Sequence, residues 1–272
     1  MNITFWAPGP NMGTTAAMIA IASAVSLKYR KSCLLMQIGP VEKDLEDIMS
    51  SEIKEEDPKA FGRDFGLDAL FRQFKARRLC GEDIYNSSVE IVGGLSILPA
   101  TGSSFPAGIT DENIFNSVFG RIFQAARERF DTVMIDIGNC GDDTGIRIMR
   151  NSDIVAVICS QDKKCIERVM DNIRKMDISE DRIFFIFARY LGASRYSVSN
   201  LKHFCAAMGI GNTGTVPCSA AFMDAVTDKR PVRFLKCFEG PEEDADDPYF
   251  YSDVSKCAGK MLEAGKRNER RR

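Results

Sequence analysis

Histidine is nearly missing from this chain. His203 is the single one in 272 residues, and it falls within the helical pattern YSVSNLKHFCAAM, so a mechanism built on a histidine base is not expected. Paired cysteines are missing too. Cys33, Cys80, Cys140, Cys159, Cys165, Cys205, Cys218, Cys237 and Cys257 stand singly, with no Cys-x-x-Cys and an odd total. That argues against a disulfide framework and against zinc held by sequence-local ligand pairs. Cys33 and Cys159 lie inside apolar runs and read as small buried hydrophobes. No long apolar run occurs: Ala16–Val25, the longest, is about ten residues, roughly half a membrane span. An excess of one charge is also absent. Lys and Arg number 36 against 38 Asp and Glu, a net charge of −2, so a chain-wide basic character of the kind that drives nucleic-acid binding is excluded, though not a local patch. The opening MNITFWAPG lacks a basic stretch followed by an apolar one, so no signal peptide is expected and the protein is expected in the cytoplasm.

What is present is an ordinary globular balance, 44% hydrophobic and 27% charged. Short apolar runs alternate with helical patterns. Ile3–Ala7, Cys33–Ile38, a strand from near Val89 to Ala100, Thr132–Ile137, Asp153–Cys159, Ile183–Ala188 and Thr213–Val216 read as strands. Helices are expected from Thr14 to Tyr29, across 42–80 with breaks at Pro58 and Gly62, over Asp111–Arg129 with Asp111 as cap, over Asp162–Met176, and around His203. The strands are continuous apolar runs, as strands covered on both faces are. The fold class is therefore α/β: a mainly parallel sheet with helices on both faces. Residues 1–237 read as one domain. Residues 238–272 read as an acidic loop (EGPEEDADDP), a short C-terminal helix and a basic tail, GKRNERRR, frayed in solvent.

The first strand–loop–helix, FWAPGPNMGTTAAM (5–18), carries the functional signal. A buried strand runs into a tight loop, a glycine, and hydroxyl residues that open a helix. Helix N-terminal N–H groups and their dipole attract phosphate, Gly13 can adopt a backbone that other residues avoid, and Thr15 is placed as a Mg²⁺-binding hydroxyl. The same residues also fit a plain strand-to-helix turn capped by Thr14. Asp136, ending the strand in FDTVMIDIGNC, has two readings as well: orienting Mg²⁺-bound water, or holding the loop at Gly138. Asp142 and Asp143 read as a helix cap. Arg189 and Tyr190 could flank a base or serve as surface anchors.

The order of these segments resembles the MinD/ParA family of deviant P-loop ATPases. FDTVMIDIGNC (130–140) is similar to the family's third motif. NSDIVAVICSQDKKCIERV (151–169), FARYLGASRYSVSNL (187–201) and TVPCSAAFMDAVTDKRPVRFL (215–235) are similar to its later strand, base-binding and "IP…F.DA…GKPV" segments. The resemblance implies a P-loop NTPase-like fold and the cofactors ATP and Mg²⁺. It implies nucleotide contacts from Gly9, Asn11, Met12, Gly13, Thr14, Thr15, Arg189 and Pro217, a metal site at Thr15 and Asp136, and a catalytic role for Asp136.

The departures share a sign. Gly9 and Thr14 stand where the family has its signature and P-loop lysines, Pro10 and Asn11 replace two glycines, and Gln37 and Gly39 replace two aspartates. Ala188 stands where many members read adenine with Asn. Phosphoryl transfer relies on positive charge at the transferring oxygens, and one missing group of this kind costs on the order of 10²–10³ in rate. Weak or absent hydrolysis with retained ATP binding is expected. The loop, with Thr at the lysine position, is similar to the TadZ/CpaE branch, which places Tad/Flp pilus machinery. Many of that branch carry an N-terminal receiver-like domain, which this chain is expected to lack. The resemblance implies protein partners in a pilus, secretion or positioning system, a homodimer not held by a loop lysine, and recruitment to the pole or inner membrane surface. The alternatives are an active partition or cell-division ATPase that contacts DNA or membrane through its basic tail and, ranked last, a metabolic relative of the cobyrinate amidotransferase synthetase type.

Overall fold

Asn2–Trp6 (β1) is buried at every position, and the sheet is built outward from it. The computed structural model describes residues 1–38, 44–53, 66–76, 78–99, 112–239 and 247–270. The other strands are Cys33–Gln37 (β2), Val89–Val92 (β3), Leu95–Leu98 (β4), Thr132–Asp136 (β5), Ile154–Cys159 (β6), Ile183–Tyr190 (β7) and Thr213–Pro217 (β8). They form one eight-stranded sheet in the order β3-β4-β2-β5-β1-β6-β7-β8. All neighbours are parallel except the β3–β4 pair. The expected single strand from Val89 is thus a hairpin. Gly93 and Gly94, both at positive φ (50° and 90°), turn the chain back as glycine can and other residues resist.

Alternation along the inner strands feeds two core layers. Ile3, Phe5, Met134, Ile154, Ala156, Ile158, Phe184 and Ile186 face one side. Trp6, Val133, Ile135, Val155, Val157, Phe185 and Phe187 face the other. The first layer is covered by Thr14–Leu27 (α1), Asp44–Met49 (α2), Ala220–Thr227 (α9), Pro231–Lys236 (α10) and Pro248–Glu269 (α11). The second is covered by Gly66–Ala76 (α3), Gly81–Asn86 (α4), Glu112–Arg129 (α5), Asp143–Arg150 (α6), Lys163–Lys175 (α7) and Val198–Ala207 (α8). Helix α1 is apolar almost all round because it lies between the sheet and α11, as an enclosed helix must.

The C-terminal segment differs from its sequence reading. Where a short helix and a frayed tail are expected, α11 runs 22 residues to Glu269. Phe250, Val254, Cys257, Ala258, Met261 and Leu262 follow the i, i+4, i+7 rhythm of one buried helix stripe. Gly259 and Gly265 admit Tyr29 and Met1 at distances that a side chain would obstruct, and Tyr29 Oη donates to the Ser255 carbonyl (2.9 Å). Among the described residues, no helix is long and apolar enough to cross a membrane. Asp111, most of the acidic loop and the break near Pro58 lie outside the described residues.

Candidate functional site

The connection after β1 leads to one side of the sheet, and the connection after β5 leads to the other. The crevice over the carboxyl end of β1 is therefore a topological switch point, where open α/β sheets bind ligands. The two strand ends are laced together: Ala7 N donates to the Gly138 carbonyl (2.8 Å) and Ile137 N to the Phe5 carbonyl (3.1 Å).

From there residues 8–13 loop into α1. Asn11 (φ 58°) and Gly13 (φ 81°) both take left-handed backbone, and Gly13 is the residue immediately before the helix. Thr14 does not cap the helix; it is the first helical residue, and its neighbour Gly13 caps without a side-chain bond. Among the described residues, no main-chain N–H from Gly9 to Ala16 has a protein acceptor. These unengaged donors lie at the positive end of α1, where an anionic oxygen is favoured.

Asp136 ends β5 with 0% exposure. Its carboxylate accepts from Thr15 Oγ1 (2.6 Å), from Gly138 N (2.8 Å) and, at longer range, from Gln37 Nε2 (3.5 Å). It thus holds the loop at Gly138 and meets Thr15 at once. Gln37 in turn accepts from Leu45 N (3.3 Å), which ties Asp136 to α2. Gly39 lies outside the described residues. Asp142 caps α6 by accepting from Gly145 N (2.9 Å). Partial burial works to raise its pKa, but bonds from the Cys140 thiol and the Gly145 and Thr144 amides leave its carboxyl below the ordinary range.

The loop forms one wall of a cavity of about 610 Å³, ample for a nucleotide-sized ligand. Gly9, Asn11, Met12, Gly13, Thr14, Thr15, Arg189 and Pro217, which the sequence pointed to, all line it. Asp136 lies behind Thr15 rather than on the wall. The sequence reading missed the opposite wall: Ile48 from α2, Val216 from β8, and Phe222, Met223 and Val226 from α9. Their spacing in SAAFMDAV carries the i, i+4 signal of a helix face, here turned toward a ligand space as well as the core.

Arg189 and Tyr190 part ways. Tyr190 Oη accepts from Val198 N (3.0 Å) and anchors α8. Arg189 is exposed and takes φ 51°, and its side chain has no hydrogen bond or ion pair among the described residues. Its Nε lies 3.6 Å from the position a Cβ would take on Gly13.

The donor set fits a nucleoside polyphosphate. Free amides and a left-handed glycine suit phosphate oxygens, and the apolar wall suits a base. No group of three or more His, Cys, Asp or Glu side chains that could hold a metal occurs among the described residues. A hard cation would therefore rest on the Thr15 hydroxyl, the Asp136 carboxylate and oxygens of the ligand itself, the usual manner of Mg²⁺.

No protein-family model and no curated protein matches the chain. Solved structures do. The chain is similar to a ParA family ATPase from Chlorobium tepidum (16% identity, TM-score 0.66, covering 94% of this chain and 98% of that one). It is also similar to Aquifex aeolicus MinD in complex with MinC (16%, 0.67, 96% and 95%). A third likeness is to a putative plasmid partition protein of Borrelia burgdorferi bound to AMPPNP (14%, 0.62, 98% and 98%). The architecture read from the sequence is the one found: this chain has the α/β fold of the MinD and ParA P-loop ATPases, spanned over nearly its full length.

Proposed function

We propose that the chain binds ATP with Mg²⁺ in this cavity, turns it over weakly or not at all, and acts as a nucleotide-responsive scaffold that positions a pilus or secretion machine through protein partners. One observation carries the reading. The loop presents free amides and the Thr15 hydroxyl, backed by the buried Asp136, to a nucleotide-sized space, while no lysine lines that space among the described residues. The amides of residues 11–16 orient the phosphates, Thr15 and Asp136 hold the cation, and the Phe222–Val226 wall excludes water from the base. Bound Mg²⁺ supplies neutralisation of phosphate charge. Nothing in the loop adds the second positive charge that stabilises a transferring phosphoryl group. The buried stripe of α11 supports protein rather than lipid partners, because a helix lying on a membrane would have to pull Phe250 and Val254 out of the core.

A second reading, an active partition or cell-division ATPase, is favoured by the intact Thr15–Asp136 pair and by the ATPases that share the fold. Equilibrium binding of labelled ATP with and without Mg²⁺, read beside phosphate release on the same preparation, separates the two. Saturable Mg²⁺-dependent binding with release no faster than in an Asp136→Asn variant supports the scaffold. Sustained release that Asp136→Asn abolishes supports the active enzyme, and absence of binding overturns both. A fluorescent fusion concentrated at pilus assembly sites, rather than over the nucleoid or division site, tests the pilus assignment.

A further inference from the structure

Regular alternation along β7 would send Arg189 away from the loop. Phe185 and Phe187 face the second core layer, and Ile186 and Ala188 face the first. Residue 189 should follow Phe187. It does not, because the β7–β8 register slips between Ala188 and Tyr190: Ala188 pairs with Val216 and Tyr190 with Pro217. Tyr190 packs against the second layer in its place. Arg189 is the extra residue of a β-bulge, and bulges re-aim side chains beside functional sites.

The bulge also places a non-glycine residue in left-handed backbone, at φ 51°. Such strain persists only where its surroundings enforce it, and here they do on both sides. Gln161 accepts from Leu191 N (2.7 Å) and donates to the carbonyls of Leu191 and Tyr196 (3.1 and 3.0 Å). Cys218 N donates to the Tyr190 carbonyl (2.9 Å). The strand end is clamped, and the result is a guanidinium without a protein partner among the described residues, beside Gly13 and on the wall of the cavity.

We propose that Arg189 is the phosphate-binding cation of this site, reaching from the end of β7 to the oxygens that the Gly13 cradle receives, in place of the lysines that the loop lacks. The proposal rests on the nucleotide reading of the cavity and names the residue that makes that reading electrostatically tenable. Arginine suits the task because its planar fork grips phosphate oxygens with two donors. The ligand class follows: a di- or triphosphate gains from Arg189, and a bare nucleoside does not.

Equilibrium titration of the full chain with adenosine, AMP, ADP and ATP, each with Mg²⁺, tests this in the wild type, Arg189→Ala and Arg189→Lys. The expected result is a loss of affinity in Arg189→Ala that grows with phosphate number and reaches about tenfold or more for ATP. Adenosine binding should be unchanged, and Arg189→Lys should recover part of the loss. Equal ATP affinity in wild type and Arg189→Ala overturns the assignment. So does an equal loss for adenosine and ATP, which would mark Arg189 as a base-stacking residue. Failure of the wild type to bind any of the four overturns the nucleotide reading itself, and the assignment with it.

Discussion

The two rims of the cavity are built on opposite principles. The β1–α1 rim is main chain: Asn11 and Gly13 in left-handed backbone, unengaged amides, and no charged side chain from residue 8 to residue 17. Its one acid, Asp136, is buried and tied to Thr15, Gly138 and Gln37. The β7–α9 rim is side chain: the Arg189 guanidinium and the apolar surface of Val216, Phe222 and Val226. The contrast teaches that the proposed phosphate site has separable parts. Backbone donors need a particular loop shape, whereas a positive charge needs only to reach, and it can be delivered from another strand.

Breaking the first rim should have the largest effect. Thr15→Ala removes the hydroxyl that meets Asp136 at 2.6 Å, and with it the proposed cation ligand. Mg²⁺ should then no longer strengthen ATP binding, a loss of about 10- to 100-fold at saturating Mg²⁺, measured by titration with and without chelator. A Thr15→Ala protein that keeps its Mg²⁺ response would place the cation elsewhere.

Moving the charge from one rim to the other sharpens the comparison. Thr14 lines the cavity, and the sequence reading sets it against the lysine of the resembling family. A Thr14→Lys change on the Arg189→Ala background should recover about tenfold in ATP affinity. No recovery would mean that position 189 does more than supply charge.

The smallest effect is on stability. Arg189→Gly relieves left-handed backbone at the bulge and should raise unfolding free energy by roughly 0.5–1 kcal/mol in nucleotide-free protein, while ATP affinity falls. Denaturant midpoints with an unchanged slope check this. A destabilised variant would show that the side chain, not its ligand, is what the bulge supports.

Much of the fold could be read in advance because continuous apolar runs such as IVAVIC and IFFIF have only one economical use, as strands covered on both faces. The boundary errors have physical causes. The β3–β4 hairpin hides in a single apolar stretch because its turn is Gly93–Gly94, which interrupts composition little. Helix α11 looks weak in sequence because two of its contacts are made by glycines, Gly259 and Gly265, whose contribution is the space they leave for Tyr29 and Met1. The loop half of the cavity wall was legible because backbone geometry leaves a local mark in Gly, Pro and hydroxyl residues. The phosphate contact proposed for Arg189 was not legible. Its approach to Gly13 depends on a bulge and a register slip 176 residues away in sequence, and no local pattern encodes that distance.

The most direct measurement is chemical protection of Arg189. With phenylglyoxal as probe and mass spectrometry of the full chain as readout, ATP with Mg²⁺ should slow modification at Arg189 severalfold, while adenosine at the same concentration leaves the rate unchanged. An Arg189 that reacts at one rate with or without ATP would contradict a guanidinium closing over phosphates at the Gly13 cradle.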